Sequence, residues 1–169
     1  MVNRKTLVVA VTVIVAVAAV GVGVYLATQG GGGTKNTYTV ANATSLQIET
    51  NVTEQGVTVT HKWAAKNLNS TQLLLRFDLL GGEAGNYSYI LIPSNQTAWS
   101  AVNGAWTDAS SSFSSVWSAW DPHWSNLVNE LVANWSGTGD HNYTASNGAS
   151  VKVYKIVINP ALADSMFQP

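Results

Sequence analysis

After residue 43, apolar side chains recur at every second position through most of the chain, and this alternation limits the fold more than any other feature. A period of two belongs to strands with one buried face. Leu46, Ile48 and Val52 alternate with Gln47, Glu49 and Asn51 across Ser45–Val52, and "TEQG" follows as a turn. Val57, Val59, His61, Trp63 and Ala65 mark a second strand, closed by "KNLNS". Thr71–Leu80 sets Leu73, Leu75, Phe77 and Leu79 against Gln72, Arg76 and Asp78, and "GGEAGN" turns the chain again. Tyr87–Ile92 and Thr97–Val102 flank "PSNQ". Asn103-Gly104 is a strong hairpin signal, because both residues tolerate positive φ, and it leads into Ala105–Thr107. This pattern predicts a meander of six antiparallel strands.

The period then changes. Phe113, Trp117, Trp120, Trp124, Leu127, Leu131 and Trp135 are spaced three or four apart, one face of a helix. Asp121-Pro122 interrupts the run, and Asp at the cap followed by Pro at the first helical position is a common helix start. The spacing therefore predicts two helices, 109–119 and 122–135, joined at a bend that keeps the apolar stripe in phase. A last hairpin follows, Asn142–Ser146 and Val151–Asn159. Both faces of its second strand look apolar, with Val151, Val153 and Val157 on one and Tyr154, Ile156 and Ile158 on the other. That predicts a central strand covered on both sides, stopped by Pro160. In the tail, Leu162, Met166 and Phe167 can dock on the core.

The N-terminus is of another kind. Leu7–Ala27 is 21 residues without a charge, behind Arg4 and Lys5. At 1.5 Å per residue such a run crosses a bilayer core of about 30 Å. The basic head predicts a cytoplasmic N-terminus, so residues 1–27 read as a single-pass plasma-membrane anchor with the remainder outside. A cleaved signal peptide is the alternative, against which stand the length of the run and the missing small-x-small site. Residues 28–37, "TQGGGGTKNT", read as a flexible tether, and 38–169 as one extracytoplasmic domain.

Asn-x-Ser/Thr triplets occur at Asn42, Asn51, Asn69, Asn86, Asn95, Asn134 and Asn142. With 15 Asn and 32 Ser plus Thr in 169 residues, chance supplies about three, so seven predicts N-glycosylation of several. Many sequons without a single cysteine fit an archaeal-type surface protein better than a disulfide-rich one.

The chain lacks the usual signs of catalysis. Without cysteine there is no thiol nucleophile, thiolate metal site or disulfide. His61, His123 and His141 show no metal-ligand spacing, no G-x-S-x-G elbow occurs, and neither "GTGD" nor "GGGG" has the context of a phosphate loop. Beyond Arg4 and Lys5, six bases face nine acids, a net of −3, which argues against a nucleic-acid partner. No enzyme, metal or cofactor is expected. What remains is seven tryptophans between Trp63 and Trp135. They can form a packed core, line an apolar ligand cavity, or present a face to a partner.

The order of elements over residues 44–107 resembles the LolA-like lipoprotein-carrier superfamily. The likeness rests on Arg76-Phe77-Asp78 at the end of a strand, a glycine turn, Tyr87-Ser88-Tyr89-Ile90, and Trp99. It implies a half-barrel whose concave apolar face, covered by helices, accepts acyl chains. The cavity-facing residues would be Trp63, Leu73, Leu75, Phe77, Tyr89, Leu91 and Trp99 from the sheet and Trp117, Trp120 and Trp124 from the lid. The helix before the first strand has little room here, and the chain is short for such a barrel. The expected fold is thus α+β: a curved, half-barrel-like antiparallel sheet with two helices on one face, behind a transmembrane helix. The expected function is non-covalent binding of a lipidic or apolar ligand at the cell surface. The alternative is a structural or interaction protein of the envelope without a small-molecule ligand.

Overall fold

Strand pairing follows the predicted turns. In the computed structural model, which describes residues 39–82 and 85–169, eight strands form one antiparallel sheet. They are β1 (Ser45–Glu54), β2 (Val57–Lys66), β3 (Leu74–Gly82), β4 (Gly85–Ile92), β5 (Thr97–Val102), β6 (Ala105–Asp108), β7 (His141–Thr144) and β8 (Ser150–Ile158). The order across the sheet is β6-β5-β4-β3-β2-β1-β8-β7, so β6 and β7 are the two edges of an open sheet. The β5–β6 turn works as its sequence predicts: Asn103 and Gly104 hold φ of 49° and 84°.

One helix, α1 (Phe113–Asn134), connects the edges, preceded by a 3-10 turn at Ser110–Ser112. Its 22 residues make it about 33 Å long, and eight strands at ~4.8 Å spacing span about 34 Å. The helix therefore crosses the whole sheet. It starts beside β5, where Ser110 Oγ lies 3.1 Å from the Ala98 amide, and ends beside β7, where Glu130 meets His141 at 2.9 Å.

This corrects the expected pair of helices: among the described residues one α-helix lies on the antiparallel sheet, and it runs through Pro122. Trp120 and Trp124 are both buried, and one unbroken helix puts them four residues apart on the same sheet-facing side. A proline inside a helix costs roughly 3 kcal/mol, of the order that burying one large aromatic side chain contributes. Pro122 is also exposed, on the side where a helix can bend toward solvent without disturbing the core. Among the described residues no helix is long and apolar enough to cross a membrane. The expected membrane-spanning segment 7–27 and the tether 28–37 lie outside the described residues.

Strand β8 supplies a second correction. It sits between β1 and β7, but only one of its faces is apolar. Lys152 pairs with Asn51 and Lys155 with Glu49, so three steps on β8 match two on β1. The extra residue is a bulge, and it reverses the alternation beyond it. Val151, Val153, Ile156 and Ile158 consequently share the helix side, while Lys152, Tyr154 and Lys155 are exposed.

The opposite face of the sheet carries a smaller apolar cluster. The C-terminal tail docks there through Leu162, Met166 and Phe167, against Ala64, Leu74, Ile90, Ile92, Trp99 and Trp106. Lys66 Nζ holds the tail by the Leu162 carbonyl and the Asp164 carboxylate, and Arg76 donates to the Met166 carbonyl at 3.0 Å. The sheet is thus covered on one face by α1 and on part of the other by the tail.

Candidate functional site

The concentration of aromatic rings between helix and sheet is the first place to look for a site. Trp120 lies 4.3 Å from Phe77, 5.4 Å from Tyr89 and 6.5 Å from Trp63, centroid to centroid. Trp124 lies 5.8 Å from Trp63, which is itself 4.9 Å from Phe77, and Phe77 stacks on Tyr89 at 4.8 Å. These are the separations of rings in mutual contact. Trp63, Leu75, Phe77, Leu91, Trp120 and Trp124 are buried, and Leu73, Tyr89 and Trp117 are partly buried against them. Trp117 stacks on Phe113 at 5.9 Å. Nine of the ten residues expected around a cavity therefore form one packed layer. Trp99 does not belong to it: it lies on the opposite face, under the tail. Its neighbour Ala98 pairs with Leu91, and that register turns Trp99 away from the helix.

Two surface depressions lie outside the helix–sheet layer. One, of about 420 Å³, is bordered by Thr44, Ser45, Lys66, Asn67 and the Pro160–Ala163 segment. The other, of about 590 Å³, is bordered by Asn67, Thr71, Gln72, Leu74, Ser94 and Asp164. Both are wide open and lie beside the tail.

The histidines divide into two kinds. His141 Nε2 contacts Glu130 Oε1 at 2.9 Å, joining β7 to the end of α1. Burial, helped by the Glu130 charge, pushes the neighbouring Tyr143 hydroxyl up to about 12. His61 on β2 and His123 on α1 instead stand against the tryptophans, 6.3 Å from Trp63 and 5.7 Å from Trp120. Burial, and then the charge of His123, lowers His61 to about 4, and burial lowers His123 as well. Among the described residues no group of three or more His, Asp or Glu could hold a metal ion.

On the other face, two charged clusters lie in the strands. Glu49 accepts from Lys155 at 2.6 Å and from the Tyr154 hydroxyl at 3.3 Å, with Lys62 at 3.7 Å. The Lys155 hydrogen bond is the main reason that the Glu49 carboxyl is held below its usual range. Arg76 pairs with Asp78 at 3.2 Å and lies 5.6 Å from the centre of the Trp106 ring. The sequence marks Arg76 and Asp78 as sharing a face, but nothing in it shows that Glu49 gathers two lysines, because they come from β2 and β8.

Six sequon asparagines are exposed, and Asn51, on β1, is half-buried. The carboxamide oxygens of Asn42, Asn51, Asn86 and Asn95 accept from the Thr39 amide, the Thr60 hydroxyl, the Gly81 amide and the Thr97 amide. Asn69 donates its Nδ2 to the Ala43 carbonyl at 3.4 Å. The side chains of Asn134 and Asn142 make no hydrogen bond among the described residues.

No protein-family model matches the chain, and neither a curated protein nor a solved structure matches it. The resemblance of residues 44–107 to lipoprotein carriers therefore has no relative to test it.

Proposed function

We propose that the folded domain is a non-catalytic structural or interaction module of the cell surface, N-glycosylated, and working through its outer faces without an internal ligand. The observation that carries this reading is the contact of Trp63, Phe77, Tyr89, Trp120 and Trp124 across the layer where a carrier would need space. An acyl chain would have to displace rings that stabilise the fold. None of the seven tryptophans is exposed, so partner contacts are assigned to the polar surface and its sugars. An extracytoplasmic location is supported by the sequon excess and by the apolar run Leu7–Ala27 behind Arg4 and Lys5.

Native extraction followed by intact-mass and lipid analysis tests the proposal. The expected result is polypeptide plus glycan with no lipid, and tryptophan fluorescence indifferent to added acyl chains. A stoichiometric bound lipid overturns it in favour of a carrier.

A further inference from the structure

The sheet ends in two four-residue edge strands that differ in what stands on them. On β6, Ala109 donates its amide to Ala98 at 2.8 Å, so alternation leaves only Trp106 and Asp108 with backbone groups turned outward. That edge is short and bears a carboxylate, a common guard against strand addition. On β7, Ala145 donates to Ala149 at 2.8 Å, so Tyr143 and His141 face β8 while Asn142 and Thr144 turn their amides and carbonyls outward. The strand is as short as β6 and its four residues include no Lys, Asp, Glu or Pro; the charges beside it, Asp140 and Lys152, pair with each other at 2.9 Å, and the ring of its histidine is engaged with Glu130. The opening continues along β8. Pairing with β7 stops at Val153, and Asn159 donates to Ser45, so the backbone groups of Ile156 and Ile158 also point away from β1. Lys155, the charge on this stretch, is held by Glu49, so this side has only its shortness and paired charges to set against strand addition.

Asn142-Tyr143-Thr144 is a sequon, and it lies on that edge strand. Asn142 and Thr144 are both exposed, and neither side chain makes a hydrogen bond among the described residues. A glycan can be attached there without breaking a native contact. Asn134, the other sequon asparagine with an unbonded side chain, closes α1 seven residues before β7 begins. We propose that Asn142 is an occupied N-glycosylation site whose sugar guards the β7 edge and prevents this edge from pairing with a second copy of the chain. The inference rests on the glycosylated reading of the protein. The physical reason is excluded volume: a hydrated oligosaccharide standing on a four-residue edge strand sweeps the space that an incoming strand must fill.

Two substitutions at one exposed position separate the sugar from the sequence. Thr144→Ala and Thr144→Lys both destroy the sequon, but only the lysine replaces the lost guard with a charge. The full chain is produced in cells that N-glycosylate, glycopeptides are mapped by mass spectrometry, and association is read by sedimentation velocity. The Asn86→Gln variant serves as a sequon-loss control away from the β7 edge. Wild type, Asn86→Gln and Thr144→Lys are expected to stay monomeric, and Thr144→Ala to self-associate with unchanged far-UV circular dichroism. A Thr144→Ala protein that sediments as wild type overturns the guard. Occupancy at other sequons with Asn142 bare overturns this inference and leaves the glycosylated reading standing. No glycan at any site overturns both.

Discussion

Trp120 of the helix lies 4.3 Å from Phe77 of β3, centroid to centroid. This contact joins the crossing helix to the middle of the sheet, and Tyr89 and Trp63 complete the surroundings of the indole. Trp120→Ala is expected to cost about 3–5 kcal/mol, the range for removing a large buried aromatic side chain. Urea unfolding followed by circular dichroism measures it. A loss under 1 kcal/mol would mean that the layer is loosely packed and able to admit a ligand.

Pro122 is exposed inside α1 and lacks the amide that would bond to the Ser118 carbonyl. Pro122→Ala is expected to stabilise the domain by about 1–2 kcal/mol. This is less than the ~3 kcal/mol of helix propensity alone, because proline also restricts the unfolded chain. A raised melting temperature with unchanged near-UV circular dichroism is the expected outcome. A lowered one would show that proline at 122 is needed to seat Trp120 and Trp124.

His61 titrates near 4 in the folded chain against an ordinary 6.5, because burial, and then the His123 charge, disfavour its protonated form. Below pH 6.5 the unfolded chain binds a proton that the folded chain refuses. Stability present in full above about pH 6.5 is therefore lost as pH falls toward 4. His123 acts in the same direction. Glu49, held below 4.5, adds a separate loss at still lower pH. Urea midpoints between pH 7.5 and 4 should fall, and His61→Leu should flatten that fall. An unchanged slope in the variant would assign the titration elsewhere.

Asn159 follows β8 with φ of 54°, and its carboxamide oxygen accepts from the Thr44 amide at 2.7 Å and the Ser45 amide at 3.3 Å. The residue thus ties the start of β1 to the end of β8. Asn159→Ala loses these bonds and strains the left-handed backbone, at about 1–3 kcal/mol. Asn159→Gly loses the bonds without the strain and should fall between wild type and alanine. Equal stability of all three would leave the tie without energetic weight.

The strands were legible because each turn signal and each alternation is local. Asn103-Gly104 needs no distant partner to make its hairpin, and the alternating residues of Ser45–Val52 and Val57–Ala65 bury one face wherever the strands lie. Local reading failed where a distant partner decided. Asp121-Pro122 reads as a helix start, yet the two buried indoles on either side hold a single helix through it. The two apolar sets of β8 look like two faces, and only pairing with β1 reveals the bulge that brings Val151, Val153, Ile156 and Ile158 to one side. Trp99 reads as part of the aromatic site, but the Ala98–Leu91 register places it under the tail.

Composition and spacing alone determined the eight strands, the helical phase of the tryptophans, the seven sequons and the absence of thiol chemistry. Tertiary structure decided that Trp63, Trp120 and Trp124 pack together between the layers while Trp99 and Trp106 lie under the tail, and that one sequon lies on an edge strand. The reason is that period and motif are properties of neighbours in the chain. Whether a gap is filled and which strand is last in a sheet depend on contacts between segments far apart in sequence.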